Sequence, residues 1–267
     1  MSSLTPHDLG QLARARQALE HPGLAIRIAG LVGQPIDALL KRLPAGPRQA
    51  IASGARKALD ASLEVALKTL DRRQGTQPSN WLHRGIVMAS GALGGLAGLP
   101  GLLVELPFSL TVMLRSIADH ARAQGEDLGQ VAGRLECLTV FAYGSRSESD
   151  DAADSAYFAT RAALTRAVSQ AAEFVAERGI AEAMGEKGAP ALVQLLSRIA
   201  QRLGVNITDK AVAQLVPVLG AAGGAAINTL FIHHYQETAW AHFSVRRLER
   251  AYGAEAVRSA YEELTRS

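Results

Sequence analysis

The chain has 267 residues, 28 Lys and Arg against 25 Asp and Glu, and one cysteine, Cys137. A hydrophobic fraction of 48% with a net charge of only +3 excludes a disordered chain, and the lone cysteine excludes a disulfide scaffold. The mean hydropathy of +0.07 is high for a soluble protein and low for a polytopic transporter. It comes from Ala, Leu, Val and Gly, since aromatics make up only 5%.

Strand signals are nearly absent, whereas Ala and Leu at helical spacing run the length of the chain, so the sequence predicts an all-α, multi-helix bundle. Helices are predicted over 7–20, 24–43, 45–73, 80–97, 101–124, 128–144, 150–179, 189–204, 208–226, 227–252 and 254–265. Gly125, Gly204 and Gly253 stand where helices should stop, and Thr208-Asp209 reads as a helix start. The N-terminus carries Asp8 and no apolar core of a signal peptide, which, with the lone cysteine, predicts a cytoplasmic protein. The N-terminal helices, 1–78, read as an extension to a domain over 79–267, or as one continuous domain with it.

Helix 101–124 reads as one-sided. Leu106, Leu110, Met113 and Ile117 fall within an arc of about 60°, and Glu105, Arg115 and Asp119 collect opposite them. Two segments differ from this pattern: 85–104 and 211–232 carry no charge and are about long enough to span a bilayer as helices. Gly91, Gly94, Gly95 and Gly98 in the first, and Gly220, Gly223 and Gly224 in the second, give small-residue spacings at which helix backbones approach closely. Gly91–Gly95 and Gly220–Gly224 also align as an internal repeat, which predicts two central Gly-rich apolar helical hairpins. The Gly and Pro content, and the lack of Lys/Arg clusters and aromatic belts beside them, equally fit two buried core helices.

The run GLPGLLVELPFSLTVMLRSIADHARAQGEDL followed by RLECLTVFAYG, and the run VPVLGAAGGAAINTLFIHHYQETAWAHFSVRRLERAYG, resemble the two signatures of the EcsC protein family. Pro107, Arg115, the GED at 125–127, Cys137, Pro217, Asn228, His242-Phe243 and Arg246 to Glu249 fall in order. The resemblance implies a bacterial protein encoded beside an ABC transporter, with an accessory role in transport or secretion. It brings no agreed biochemical activity.

Four groups of residues are candidate sites. Glu105, Arg115, Asp119, Asn228 and Glu237 form a candidate buried polar network that fixes the register of the hairpins, because polar groups inside an apolar bundle must be paired. His120, His233, His234 and Glu237 offer metal-ligand chemistry, with His233 and Glu237 four apart on one face, although the spacing lacks the H-E-x-x-H form. Cys137 follows Glu136 in an apolar stretch and reads as a small buried hydrophobe more readily than as a nucleophile. Trp240, His242, Phe243, Arg246, Arg247 and Arg250 mix aromatic and cationic groups, as a membrane-surface or partner-binding helix does, and as a packed helix with a solvated face also does.

The resulting expectation is a non-catalytic, membrane-associated accessory protein, peripheral to or partly inserted in the inner membrane. It would use no cofactor and bind no nucleic acid, for lack of a basic stripe. The alternatives are a metal-dependent hydrolase built on the His/Glu/Asp cluster and a soluble module binding an apolar ligand such as an acyl chain.

Overall fold

The computed structural model describes residues 4–20, 28, 44–70, 98–143, 156–183, 190–214 and 220–264. Among them the chain forms eight α-helices and no strand. They are α1 (Pro6–Glu20), α2 (Ala45–Thr69), α3 (Gly98–Ala123), α4 (Val131–Thr139), α5 (Ala156–Ala183), α6 (Pro190–Gln214), α7 (Gly220–Tyr252) and α8 (Ala254–Glu263), with a 3-10 turn, Val140–Ala142, after α4. The all-α bundle read from composition and periodicity is the architecture found.

The core follows from which faces are apolar. α2 buries Leu59, Leu63 and Ala66 and packs on α3 and α6, and α3 packs in turn on α7. Gly54 permits the close α2–α3 approach: a Cβ there would stand 2.6 Å from Leu103 Cδ2. α5 lies on α6, α4 on α2 and α5, and α1 and α8 lie along α7. Phe141, Phe231 and Tyr235 stack edge to face in the middle, with ring centres 5.1 and 5.2 Å apart.

α3 corrects the one-sided reading of its sequence. Held between α2 and α7, it buries Glu105 and Asp119 along with Leu106, Leu110, Met113 and Ile117, and only Arg115 of the three charged residues is exposed. Burial on two sides widens the covered arc beyond the apolar stripe, so the carboxylates inside it need partners.

Gly125 and Gly253 end their helices at φ 78° and 90°, a conformation that a side chain disfavours. Gly204 does not: α6 runs through it, because Leu203 and Ile207 on either side are wholly buried and tertiary packing outweighs a helical glycine's cost of about 1 kcal/mol. Thr208 accordingly caps nothing and bonds back to the Gly204 carbonyl at 2.6 Å. No break separates 226 from 227 either, and α7 is one helix of 33 residues. The predicted helices 24–43 and 80–97 lie outside the described residues apart from Ile28, as do residues 85–97 of the charge-free run 85–104, whose remainder opens α3.

Candidate functional site

The polar residues form two buried clusters, one towards each end of the bundle. The first joins the N-terminal half of α3, the C-terminal half of α6 and the N-terminal half of α7. Lys210 Nζ lies 3.4 and 3.3 Å from the two Glu105 carboxylate oxygens, and Asn228 Nδ2 donates to Oε1 at 2.6 Å. Ser109, one turn along α3, also donates to Glu105 Oε1. Lys210 is wholly buried, with its ammonium 5.3 Å from the centre of the Phe231 ring. Burial pushes the lysine's pKa down, and the Glu105 carboxylate opposes that shift.

The second cluster lies where the α3–α4 turn and α5 meet the C-terminal half of α7. Arg246 grips Glu126 with two hydrogen bonds, 2.9 and 3.0 Å, and Arg250 donates to the same carboxylate. Glu136 Oε1 lies 3.1 Å from His242 Nε2 and 3.6 Å from Arg246 Nη1. His242 Nδ1 is 2.9 Å from the Tyr157 hydroxyl. A carboxylate accepts only, so the ring proton belongs on Nε2, and Nδ1 accepts from Tyr157. Arg161 closes the chain with a bidentate bond to Glu249 at 2.7 and 2.6 Å.

Electrostatics fixes the protonation of this chain. Burial raises Glu136, but the close His242 imidazole and the charge of Arg246 outweigh it and hold the carboxyl below its ordinary value. Glu126 is likewise held down by Arg246 and Arg250 against the burial that raises it. Burial pushes His242 down although Glu136 pulls it up, so the imidazole is neutral at neutral pH. The relay is fully enclosed: Glu136, Tyr157 and His242 are all buried.

A third set pins α1 to the C-terminal helices. Asp8 accepts from Arg247 at 3.1 Å and from the Tyr252 hydroxyl at 2.7 Å, and Arg247 also reaches Gln11 at 2.8 Å. Arg14 lies over Trp240, 4.5 Å from the ring centre. Glu20 accepts from the backbone N–H groups of Ala156 and Tyr157, so the end of α1 caps the start of α5.

Glu126 of the GED, Glu136, His242, Arg246 and Glu249, in that order along the chain, thus line one region of the structure, while Arg247 faces Asp8 instead. The model of the EcsC protein family matches residues 17–248. The chain belongs to that family. No curated protein and no solved structure matches it. The EcsC match covers the first cluster and the second up to Arg246, while Glu249 and Arg250, residues 6–16 of α1 and all of α8 lie outside it.

Within this EcsC chain the sequence-predicted sites are redistributed. The single network expected of Glu105, Arg115, Asp119, Asn228 and Glu237 is split. Glu105 and Asn228 meet, but Asp119 pairs with Arg122 at 3.0 Å, Glu237 with His233 at 3.2 Å, and Arg115 is exposed. The partner that completes the Glu105 cluster is Lys210, which sequence reasoning passed over because it stands one residue before the charge-free run 211–232. The metal reading of His120, His233, His234 and Glu237 is not supported. Among the described residues no group of three or more His, Cys, Asp or Glu is placed to hold an ion.

Of the two readings of the basic helix face, the side-chain contacts fit the packed one. His242 and Phe243 are wholly buried, and Arg246, Arg247 and Arg250 hold carboxylates of the same chain. Trp240 is half-buried under Arg14. Cys137 is buried, its thiol bonds the Gly133 carbonyl at 3.5 Å, and burial with Glu126 and Glu136 nearby pushes its pKa up, the opposite of a nucleophile's setting. Gly91, Gly94, Gly95 and Pro217 lie outside the described residues. Gly98 opens α3, and Gly220, Gly223 and Gly224 fall in the first turns of α7.

Two open grooves flank the second cluster. One, of about 490 Å³, is lined by Phe158, Arg161, Thr165, Glu249 and Arg258 with neighbouring residues, and the other, of about 360 Å³, by Glu126, Arg246, Glu249 and Arg250 with the α3–α4 turn. Arginine–carboxylate pairs border both, unlike an apolar tunnel for an acyl chain.

One described stretch is long and apolar enough to cross a membrane, Pro100–Ala123 of α3. Its most apolar window has a mean hydropathy of 1.4, and 61% of that window is buried. The part of α3 left uncovered includes Val104, 81% exposed, and Phe108, 50% exposed.

Proposed function

We propose that this EcsC protein is a membrane-associated accessory protein without a catalytic centre of its own, acting beside a transport or secretion system. The observation that carries the reading is α3. It has the length and hydropathy of a membrane-crossing helix, yet it leaves large apolar side chains uncovered in its first half. The charge-free run 85–97 leads directly into that half, which favours an apolar environment there over water. The buried polar clusters support a scaffold more than an enzyme. Their carboxylates, arginines and imidazole bind one another across helices and offer no exposed nucleophile–base pair.

Fractionation tests the reading. In bacterial cells expressing the full chain, the protein should sediment with membranes, and purified protein should float with liposomes. A protein found wholly in the soluble fraction that binds no liposomes overturns it. The link to transport is tested by deleting the gene and measuring secreted protein, which should fall.

A further inference from the structure

We propose that the outward face of α3 is the surface that meets the bilayer, with Pro100, Val104 and Phe108 entering the acyl region and Arg115 reaching the phosphates of anionic lipid. This rests on the membrane association proposed above and names its surface and its partner. Pro100, Val104 and Phe108 follow one another at four-residue steps, so they form one stripe along the helix, and all three are exposed. Arg115 continues the same stripe seven residues after Phe108, about 10 Å along the axis. A guanidinium on a long apolar stem spans that distance from the acyl boundary to the headgroups.

Charge complementarity selects the occupant. Arg115 is exposed and has no hydrogen-bond or ion-pair partner among the described residues, whereas Arg246, Arg247 and Arg250 are all paired. The acids of α3 nearest the stripe are already neutralised from within, Glu105 by Lys210 and Asp119 by Arg122. The face therefore presents apolar side chains and one unanswered cation, with no free carboxylate to repel an anionic surface. A second copy of the chain docked on the same stripe would bring Arg115 no acid from that stripe.

Flotation with vesicles of phosphatidylcholine alone, and of phosphatidylcholine with phosphatidylglycerol, tests the surface. The double variant V104S/F108S removes two exposed apolar side chains, so its fold should persist, as circular dichroism and melting will register. It should bind both vesicle types at least tenfold more weakly. R115Q should keep the wild-type affinity for phosphatidylcholine and lose about fivefold on the anionic vesicles. F108W should blue-shift its emission when vesicles are added.

A wild type that floats while V104S/F108S floats equally well overturns the surface and leaves membrane association standing. A wild type that floats with neither vesicle overturns the association itself. A wild-type dimer that becomes a monomer in V104S/F108S with unchanged flotation would make the stripe a self-interface and overturn the proposal.

Discussion

Glu105 Oε2 and Lys210 Nζ stand 3.3 Å apart, 105 residues apart in sequence, with the lysine wholly buried. The pair ties α3 to α6, and Asn228 ties the same carboxylate to α7. Removing one member leaves the other as an uncompensated buried charge, whereas removing both charges together does not. Lys210→Met should therefore lower stability by about 3–5 kcal/mol. Adding Glu105→Gln, whose amide oxygen still accepts from Asn228 and Ser109, should recover most of that loss. Urea unfolding of the two variants reads the difference. Equal stability of the single and double variants would show that the ion pair is not what holds the three helices in register.

The His242–Glu136 contact predicts acid lability with a definite window. His242 is held below its ordinary value of 6.5, so between that value and its folded value the unfolded chain binds the extra proton. Its contribution is complete above pH about 6.5 and is lost progressively as the pH falls towards the folded value. Glu136, also held down, adds a second loss that begins below its ordinary value of 4.5. The urea midpoint should fall between pH 7 and pH 5 in the wild type. In His242→Gln, which keeps a donor towards Glu136 but cannot titrate, the midpoint should be lower at pH 7 and flatter over the same interval. An equal slope in both proteins would place the acid sensitivity elsewhere.

The helices were legible in the sequence because Ala/Leu periodicity and the positive-φ glycines at 125 and 253 are local signals. Gly204 misled because burial of Leu203 and Ile207 is a tertiary fact that overrides a local propensity. The polar partnerships were mostly illegible for the same reason. Glu105 and Asn228 could be grouped as buried polar residues, but only the packing of the helices shows that Lys210 answers the carboxylate and that Asp119 turns to Arg122 instead. The motif order GED, Glu136, His242 and Arg246 was visible, but its composition fitted a surface helix and a packed one alike. The packing decides: His242 and Phe243 are interior, while Arg246, Arg247 and Arg250 lie at the rim and each meets a carboxylate.

Asp8 makes the attachment of α1 measurable. The Tyr252 hydroxyl above all, then Thr5 and Arg247, hold its carboxyl at about 2, so it stays ionised through mildly acid solution. A depressed carboxylate stabilises above its ordinary value of 3.8 and loses that contribution as the pH falls towards 2. Hydrogen exchange over residues 6–20 should remain slow at pH 5, where the His242 contribution is already weakening. Asp8→Asn should speed exchange in α1 while leaving α2 and α3 protected. Faster exchange spread evenly over the bundle would show that α1 does not open as a separate unit.

Gly133 supports the second cluster by absence. A Cβ there would lie 2.3 Å from the backbone oxygen of Asp127, which cannot swing aside as a side chain can. Gly133→Ala must therefore displace the 125–130 turn that carries Glu126, at a cost of about 1–3 kcal/mol. Gly204→Ala is the matched control. It meets nothing within 4 Å inside α6 and should stabilise by up to about 1 kcal/mol. The displacement is read from the Arg246–Glu126 pair, now bonded at 2.9 and 3.0 Å. In a double-mutant cycle with Arg246→Gln and Glu126→Gln, the coupling energy should shrink in the Gly133→Ala background and stay unchanged in the Gly204→Ala background. Unaltered coupling beside a full loss of stability would mean that α4 moves as a body and the turn keeps its hold on α7.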